Sequence, residues 1–258
     1  MFLWSQPVYG PVRSRRLGLS LGVNLLPTGR KVCTYDCPYC ECGFTREERK
    51  PSGSDLDGGD TRLPEGRAVL KALEGALRAQ AGGEPLDTIT FAGNGEPTLH
   101  PEIEGILDGA RALRDDLAPG ARIAVLTNGI RLREESVREA VLATDDPEVK
   151  LDAGTPDTFR RVAAPTVPWT LADLEALLRD LDGSVSVQTC LFQGNVDNTG
   201  REDIDGMVAV IAAARPRRVL AYTLDRAPAD SLLEPAPRGV LDDFVARVKG
   251  VGVPAEVY

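Results

Sequence analysis

Three cysteines stand at C-x3-C-x2-C spacing in the stretch Cys33-Thr34-Tyr35-Asp36-Cys37-Pro38-Tyr39-Cys40, just after a short apolar run from Val23 to Leu26. No other feature constrains the chain as much. The spacing puts three thiols on one tight loop, and no second cysteine pair matches it elsewhere. Structural zinc takes four ligands, usually as two separated pairs. Cys42 would offer a fourth, but C-x-C followed by Gly43 closes a tetrahedron poorly, and the one histidine, His100, is far off in sequence. Three thiolates suit an iron–sulfur cube that leaves one iron open. Cys42 is then the spare thiol, and Cys190 reads as a small core residue.

Composition narrows the setting. The 258 residues allow one large domain spanning 1–258, as barrels of this length commonly do. A formal net charge of −9 gives no steering toward nucleic acid or an anionic membrane. Arg13, Arg15 and Arg16 make a small local exception. No apolar run is long enough for a membrane span, and the opening Phe-Leu-Trp is too short for a secretory core. Four of the five cysteines crowd between Cys33 and Cys42, which in an intracellular chain reads as metal binding rather than a disulfide framework. A cytoplasmic location is expected.

Beyond the cysteines the pattern alternates. Pro7, Gly10 and Pro11 break the first nineteen residues, and a strand is expected over about 19–26. The stretch 43–60, charged and rich in Gly and Ser, reads as an exposed loop. Helical spacing then appears over 64–81, 101–117, 134–143, 170–180, 203–214 and 240–248, with β-rich runs over 86–91, 123–126, 149–151, 185–192 and 218–224 between them. Thr170 is placed as an N-cap, and 253–257 as a last short strand. Six strand–helix units in order predict an α/β fold with a parallel sheet. Ligands of such folds gather at the carboxyl ends of the strands. Period two puts Ser186, Gln188 and Cys190 on one face of their strand, with Lys150 and Asp152 on the matching face of the strand before it.

A second feature, Phe91-Ala92-Gly93-Asn94-Gly95-Glu96-Pro97-Thr98, follows a strand and precedes a helix. Its glycines permit close backbone approach, Glu96 offers an acceptor to a cationic group, and Pro97 stiffens the turn. It is not a phosphate loop, because no Gly-Lys-Ser/Thr follows.

The two features together resemble the radical S-adenosylmethionine (SAM) superfamily. The resemblance implies a partial (β/α)6 barrel. Cys33, Cys37 and Cys40 would hold a 4Fe–4S cluster, and SAM would chelate its open iron. The segment Gly93, Asn94, Gly95, Glu96 and Pro97 would meet the methionine amino group. Reduction through a flavodoxin- or ferredoxin-type donor would yield a 5′-deoxyadenosyl radical that takes a hydrogen atom from a substrate. Tyr39 would border the adenine. Thr127 and Asn128 would bond the ribose or carboxylate, or else cap a turn. Asp152 and Gln188 would touch the cofactor, or else belong to an ion pair with Lys150. Arg15 and Arg16 would hold an anionic substrate. Tyr222 and Arg226 lie where the sixth strand ends.

Further motifs, among them Pro11-Val12-Arg13-Ser14-Arg15-Arg16-Leu17-Gly18, Leu126-Thr127-Asn128-Gly129 and Val149-Lys150-Leu151-Asp152-Ala153, resemble the subgroup related to the wyosine-base synthases of tRNA. Those enzymes carry extra N-terminal cysteines, whereas no cysteine precedes Cys33 here. Two alternatives stand beside this reading. One is an activase that installs a glycyl radical on a partner protein. The other is a non-catalytic, metal-stabilised module that binds RNA or protein.

Overall fold

The computed structural model describes residues 2–45 and 62–258. Most of the loop expected over 43–60 lies outside the described residues. Of its first residues, Gly43 is buried, its carbonyl accepting a hydrogen bond from Lys31 Nζ at 2.9 Å.

Seven parallel strands make the body of the sheet: β2 (Gly18–Val23), β3 (Thr88–Phe91), β4 (Arg122–Thr127), β5 (Asp146–Lys150), β6 (Ser186–Cys190), β8 (Val219–Tyr222) and β10 (Ala255–Val257). β1 (Val8–Ser14) pairs antiparallel with β2 along the outer edge. Helices α1 (Gly66–Gln80), α2 (Ile103–Leu117), α3 (Glu135–Leu142), α4 (Pro156–Val162), α5 (Leu171–Asp180), α6 (Arg201–Ala214) and α7 (Arg238–Gly250) fill the crossovers. A short ribbon of β7 (Phe192–Gly194) and β9 (Leu233–Pro235) stands apart. The six strand–helix units expected from the sequence are present: β2–α1, β3–α2, β4–α3, β5–α4–α5, β6–α6 and β8–α7.

The sheet is open, since β1 and β10 remain its two edges. It is also curled. Arg16, in the β1–β2 turn, stacks on Tyr222 of β8 at 4.2 Å, and Arg15 pairs with Asp225 just beyond β8 at 3.4 Å. Those residues come from opposite sides of the sheet, so only a trough-shaped half-barrel brings them together.

Each helix buries one apolar stripe on the outer face of the sheet. Val69, Leu73 and Leu77 of α1 are no more than 2% exposed, and Ile103, Ile106, Leu107 and Ala110 of α2 no more than 1%. Each such large side chain contributes about 1.5–3 kcal/mol relative to leaving it in water. Ile89, Phe91, Ile123, Val125, Val149 and Val187 meet them from the strands. α5 begins where expected, with Thr170 and Asp173 forming a reciprocal capping box.

Three local differences from the sequence reading have identifiable causes. β1 forms despite Pro7, Gly10 and Pro11, because it is an edge strand with a bulge between Tyr9 and Val12, where a missing N–H costs little. β5 starts three residues early, at Asp146 and Pro147, which lie between the expected helix and the expected strand. Asp146 is tolerated there because Arg122 of β4, the Ser186 hydroxyl of β6 and Arg218 just before β8 satisfy it. α4 was not anticipated. Pro156 at its first turn and the Thr155 cap start it, and Asp203 holds that turn by accepting bonds from Gly154 N, Thr155 N and the Thr158 hydroxyl.

Candidate active site

The concave face of the trough encloses a cavity of 430 Å³ that runs from the cysteine loop down to the β1–β2 turn. Period two explains what lines it. Side chains on one face of β5, β6 and β8 pack under helices, and Lys150, Gln188 and Cys190 face the cavity as anticipated, joined by Tyr222, whereas Ser186, expected on the same face, does not line it and donates to Asp146 instead.

The cysteine loop is built into the top of the sheet. Val32 makes a parallel bridge to Gly95, Val32 N donating to Asn94 O at 2.9 Å and Glu96 N to Val32 O at 3.0 Å. On its other side the loop is tied to the end of α4, Asp36 N donating to Ala163 O at 3.0 Å. Tyr35 is buried under the loop and accepts a hydrogen bond from Trp169 Nε1 at 2.9 Å. Cys40 N and Gly43 N donate to Cys37 O and Cys40 O, so the loop winds in successive tight turns. Cys33, Cys37, Cys40 and Cys42 are unpaired thiols, and all four line the cavity.

The thiols differ in acidity. Burial pushes Cys33 and Cys37 up to about 12. Cys40 is lowered instead, chiefly by the neighbouring Cys42 thiol, which rises in turn and keeps the proton. Lys31 is 8% exposed beside them. Burial pulls its pKa down, but Cys40, Cys37 and Cys33 outweigh that effect and hold it charged.

Glu96 is the hub of the second wall. Its Oε1 accepts from Thr98 N (3.2 Å), the Thr98 hydroxyl (2.6 Å) and the Thr127 hydroxyl (2.7 Å), and its Oε2 accepts from Asn128 N at 2.7 Å. Burial raises its pKa, and those bonds oppose the rise. Asn128 Nδ2 reaches Thr34 Oγ1 at 2.9 Å, linking this wall to the cysteine loop. Gly95, at φ +138°, has a reason other than ligand approach. A Cβ there would lie 1.9 Å from the Val32 carbonyl oxygen.

The expected site residues divide cleanly. The three cysteines, Tyr39, Gly93, Gly95, Glu96, Thr127, Asn128, Gln188, Arg15 and Arg16 surround the one cavity. Asn94, Pro97 and Asp152 do not line it. Asn94 is fully buried and spends its side chain on Trp4 and Pro27. Pro97 opens a short 3-10 turn, Pro97–Leu99. Asp152 sits just past β5, accepting from the Tyr39 hydroxyl and from Cys190 N at 2.7 Å, with Lys150 Nζ 4.0 Å away. It orients Tyr39, and the anticipated Lys150–Asp152 pair exists. Burial foremost, then Asp152, raises the Tyr39 pKa, so its phenol stays protonated and donates. His100 lies apart from the cavity, bonded to Pro64 O at 2.7 Å.

Sequence reasoning passed over two residues. Lys31 is buried against the cysteine loop, its Nζ donating to Gly43 O, and nothing in the pattern marks it. Glu148 is fully buried on β5, two residues before Lys150 and so on the same strand face. Period two alone would have placed it there.

The sequence profile of the Radical SAM superfamily matches residues 31–207. The chain belongs to the radical SAM superfamily. Its cofactors are those of the family, a 4Fe–4S cluster and SAM. A UPF0026 protein of Helicobacter pylori is 30% identical over 85% of this chain and 66% of its own. A probable RNA methyltransferase of Sorangium cellulosum is 29% identical over 86% of this chain and 52% of its own. The chain spans between 31% and 70% of the length of such curated relatives. Among solved structures, a radical SAM methyltransferase from Sphaerobacter thermophilus superposes with a TM-score of 0.65 at 19% identity, covering 93% of this chain and 65% of that one. The half-barrel is therefore the radical SAM fold. Among the described residues no helix is long and apolar enough to cross a membrane.

Proposed function

We propose that this radical SAM protein initiates hydrogen-atom abstraction from an organic substrate held in the trough, with Cys33, Cys37 and Cys40 as the cluster ligands. When bound, the cluster and SAM supply one-electron cleavage of a carbon–sulfur bond, giving methionine and a 5′-deoxyadenosyl radical that abstracts the hydrogen atom. The observation that carries this reading is the convergence of the three cysteines and the Gly95–Glu96 wall on one cavity at the carboxyl ends of the strands.

The residues fit the group. Among the described residues no three His, Cys, Asp or Glu side chains converge as they would around a single ion. A cluster of several irons, with its ligands spread around one end of a cavity, suits the three thiols better than zinc does. Cys33, Cys37 and Cys40 must give up their protons to bind iron, and Lys31 offsets part of the resulting charge. Cys42, hydrogen-bonded to Gly93 O at 3.3 Å, is left as a structural thiol. Glu96, charged or sharing a proton, presents an acceptor to an ammonium group. Thr127 and Asn128 hold Glu96 in place. Tyr39, fixed by Asp152, offers a ring face to a nucleoside.

The wyosine-type reaction is the finer reading. The likeness to a probable RNA methyltransferase favours an RNA substrate. The net charge of −9 weighs against one bound as those synthases bind it. The test is anaerobic reconstitution with iron and sulfide, then reduction in the presence of SAM. A charge-transfer absorbance band and 5′-deoxyadenosine are expected. Their joint absence would overturn the proposal.

A further inference from the structure

The floor of the trough carries a polar cluster that the initiating chemistry does not use. Arg16 reaches in from the β1–β2 turn, its side chain 17% exposed. Its guanidinium lies over the Tyr222 ring at 4.2 Å. The same nitrogen, Nη1, donates to Gln188 Oε1 at 3.2 Å and sits 3.5 Å from Glu148 Oε2. Arg16 forms no other hydrogen bond or ion pair with the described residues. The rest of its donor edge is therefore unspent.

Gln188 and Glu148 are 2% and 0% exposed. Among the described residues Gln188 Nε2 and both Glu148 oxygens have no hydrogen-bond partner. A buried amide left unpaired costs about 1–3 kcal/mol, so such a group calls for an occupant. Gln188 lines the cavity, as do Arg16 and Tyr222, whereas Glu148 sits behind Arg16 and does not. The unpaired groups at this wall of the cavity are thus donors: a guanidinium edge and the buried amide NH₂ of Gln188. Their complement is a planar, singly charged acceptor, since an Arg fork matches a carboxylate in shape as well as charge.

We propose that Arg16 and Gln188, with Tyr222 as the supporting face, form a binding subsite for a carboxylate group of the substrate. The subsite rests on the proposed function only in that the same trough receives the substrate.

Glu148 sets the condition for binding. The groups facing it are Arg16 from the β1–β2 turn, Arg122 from β4, Asp146 on its own strand, Arg218 just before β8 and Tyr258 of the carboxyl-terminal segment. β6 adds the neutral Ser186 and Gln188. Burial dominates and lifts the Glu148 pKa to about 7, against the pull of Arg16. An incoming carboxylate competes with Glu148 for Arg16 and favours its protonated form. Binding therefore takes up a proton once the pH exceeds that pKa, and affinity falls as pH rises.

The test uses the anaerobically reconstituted protein saturated with SAM, titrated with sodium butyrate and followed by the ligand's NMR line widths. Butyramide serves as the uncharged isostere and monoethyl phosphate as the second anion. Butyrate is expected to bind at least about tenfold tighter than butyramide, a difference of about 1.4 kcal/mol. Arg16→Met removes about tenfold or more, and Gln188→Leu, which leaves the turn untouched, about threefold. From about pH 6 to about pH 8 the wild-type affinity falls about tenfold, and Glu148→Gln flattens that profile. Equal binding of butyramide, tighter binding of monoethyl phosphate, or a pH profile that survives Glu148→Gln would overturn the assignment. So would unchanged affinity in both Arg16→Met and Gln188→Leu. Formation of 5′-deoxyadenosine by the wild-type protein without added carboxylate tests the radical chemistry separately. Its absence alongside intact butyrate binding would sink the proposed function and leave the subsite standing.

Discussion

Gly95→Ala should separate the cysteine loop from the sheet. A Cβ at this position would meet the Val32 carbonyl oxygen at 1.9 Å and its carbon at 2.6 Å. Both are backbone atoms, so no rotamer relieves the contact. The chain must open the Val32–Gly95 bridge and its two hydrogen bonds of 2.9 and 3.0 Å. Those bonds contribute about 1 kcal/mol each. An alanine held at positive φ adds about 1–2 kcal/mol. The expected loss is about 3–4 kcal/mol, which in a chain of this length lowers the melting temperature by roughly 10 °C. Cys33 follows Val32 directly, so iron content after reconstitution should fall with stability. Gly75→Ala is the control. Gly75 lies on the exposed side of α1 with nothing within 4 Å of a Cβ. That substitution should stabilise by about 0.5–1 kcal/mol through helix propensity and leave iron content unchanged. Thermal unfolding by circular dichroism and iron determination read both variants. A Gly95→Ala protein within 1 kcal/mol of wild type that still binds iron normally would refute the reasoning.

Alanine at Cys33, Cys37 or Cys40 should each abolish retention of the cluster, measured as bound iron, while Cys42→Ala should retain it; an essential Cys42 would reverse the ligand assignment. Glu96→Gln places an amide NH₂ toward a backbone or hydroxyl donor in a site that now supplies four hydrogen bonds to the carboxylate. It should cost about 1.5–3 kcal/mol in denaturant unfolding and weaken SAM binding in equilibrium dialysis. Tyr35→Phe strands the buried Trp169 indole N–H, now bonded at 2.9 Å, and should cost about 1–2 kcal/mol. Addition of iron should release protons to bulk buffer, since burial holds Cys33 and Cys37 protonated up to about 12 in the metal-free chain. A pH-stat titration at neutral pH that detects no proton release would contradict that thiol assignment.

Local pattern made much of this protein legible. The cysteine spacing, six alternating strand–helix units and the Gly-Asn-Gly-Glu-Pro turn are short-range signals, and each survived folding because burial agreed with periodicity. Lys150, Gln188 and Cys190 were placed on the working face by period two, a property of the strand backbone itself. Tertiary structure decided what those residues meet. Asn94 looked like a ligand contact and is a staple for the N-terminal segment, because Trp4 lies ninety residues away in sequence but adjacent in space. Asp146 lay outside the expected strand and sits in β5, because Arg122 of β4 and Arg218 just before β8 neutralise it. The Arg16–Glu148–Gln188 cluster joins a turn and two strands whose neighbourhood exists only once the sheet curls. Sequence alone sets where a side chain points along its own element. Which charges share a buried space is set by how distant elements close on one another, and there the low dielectric gives each pairing its weight.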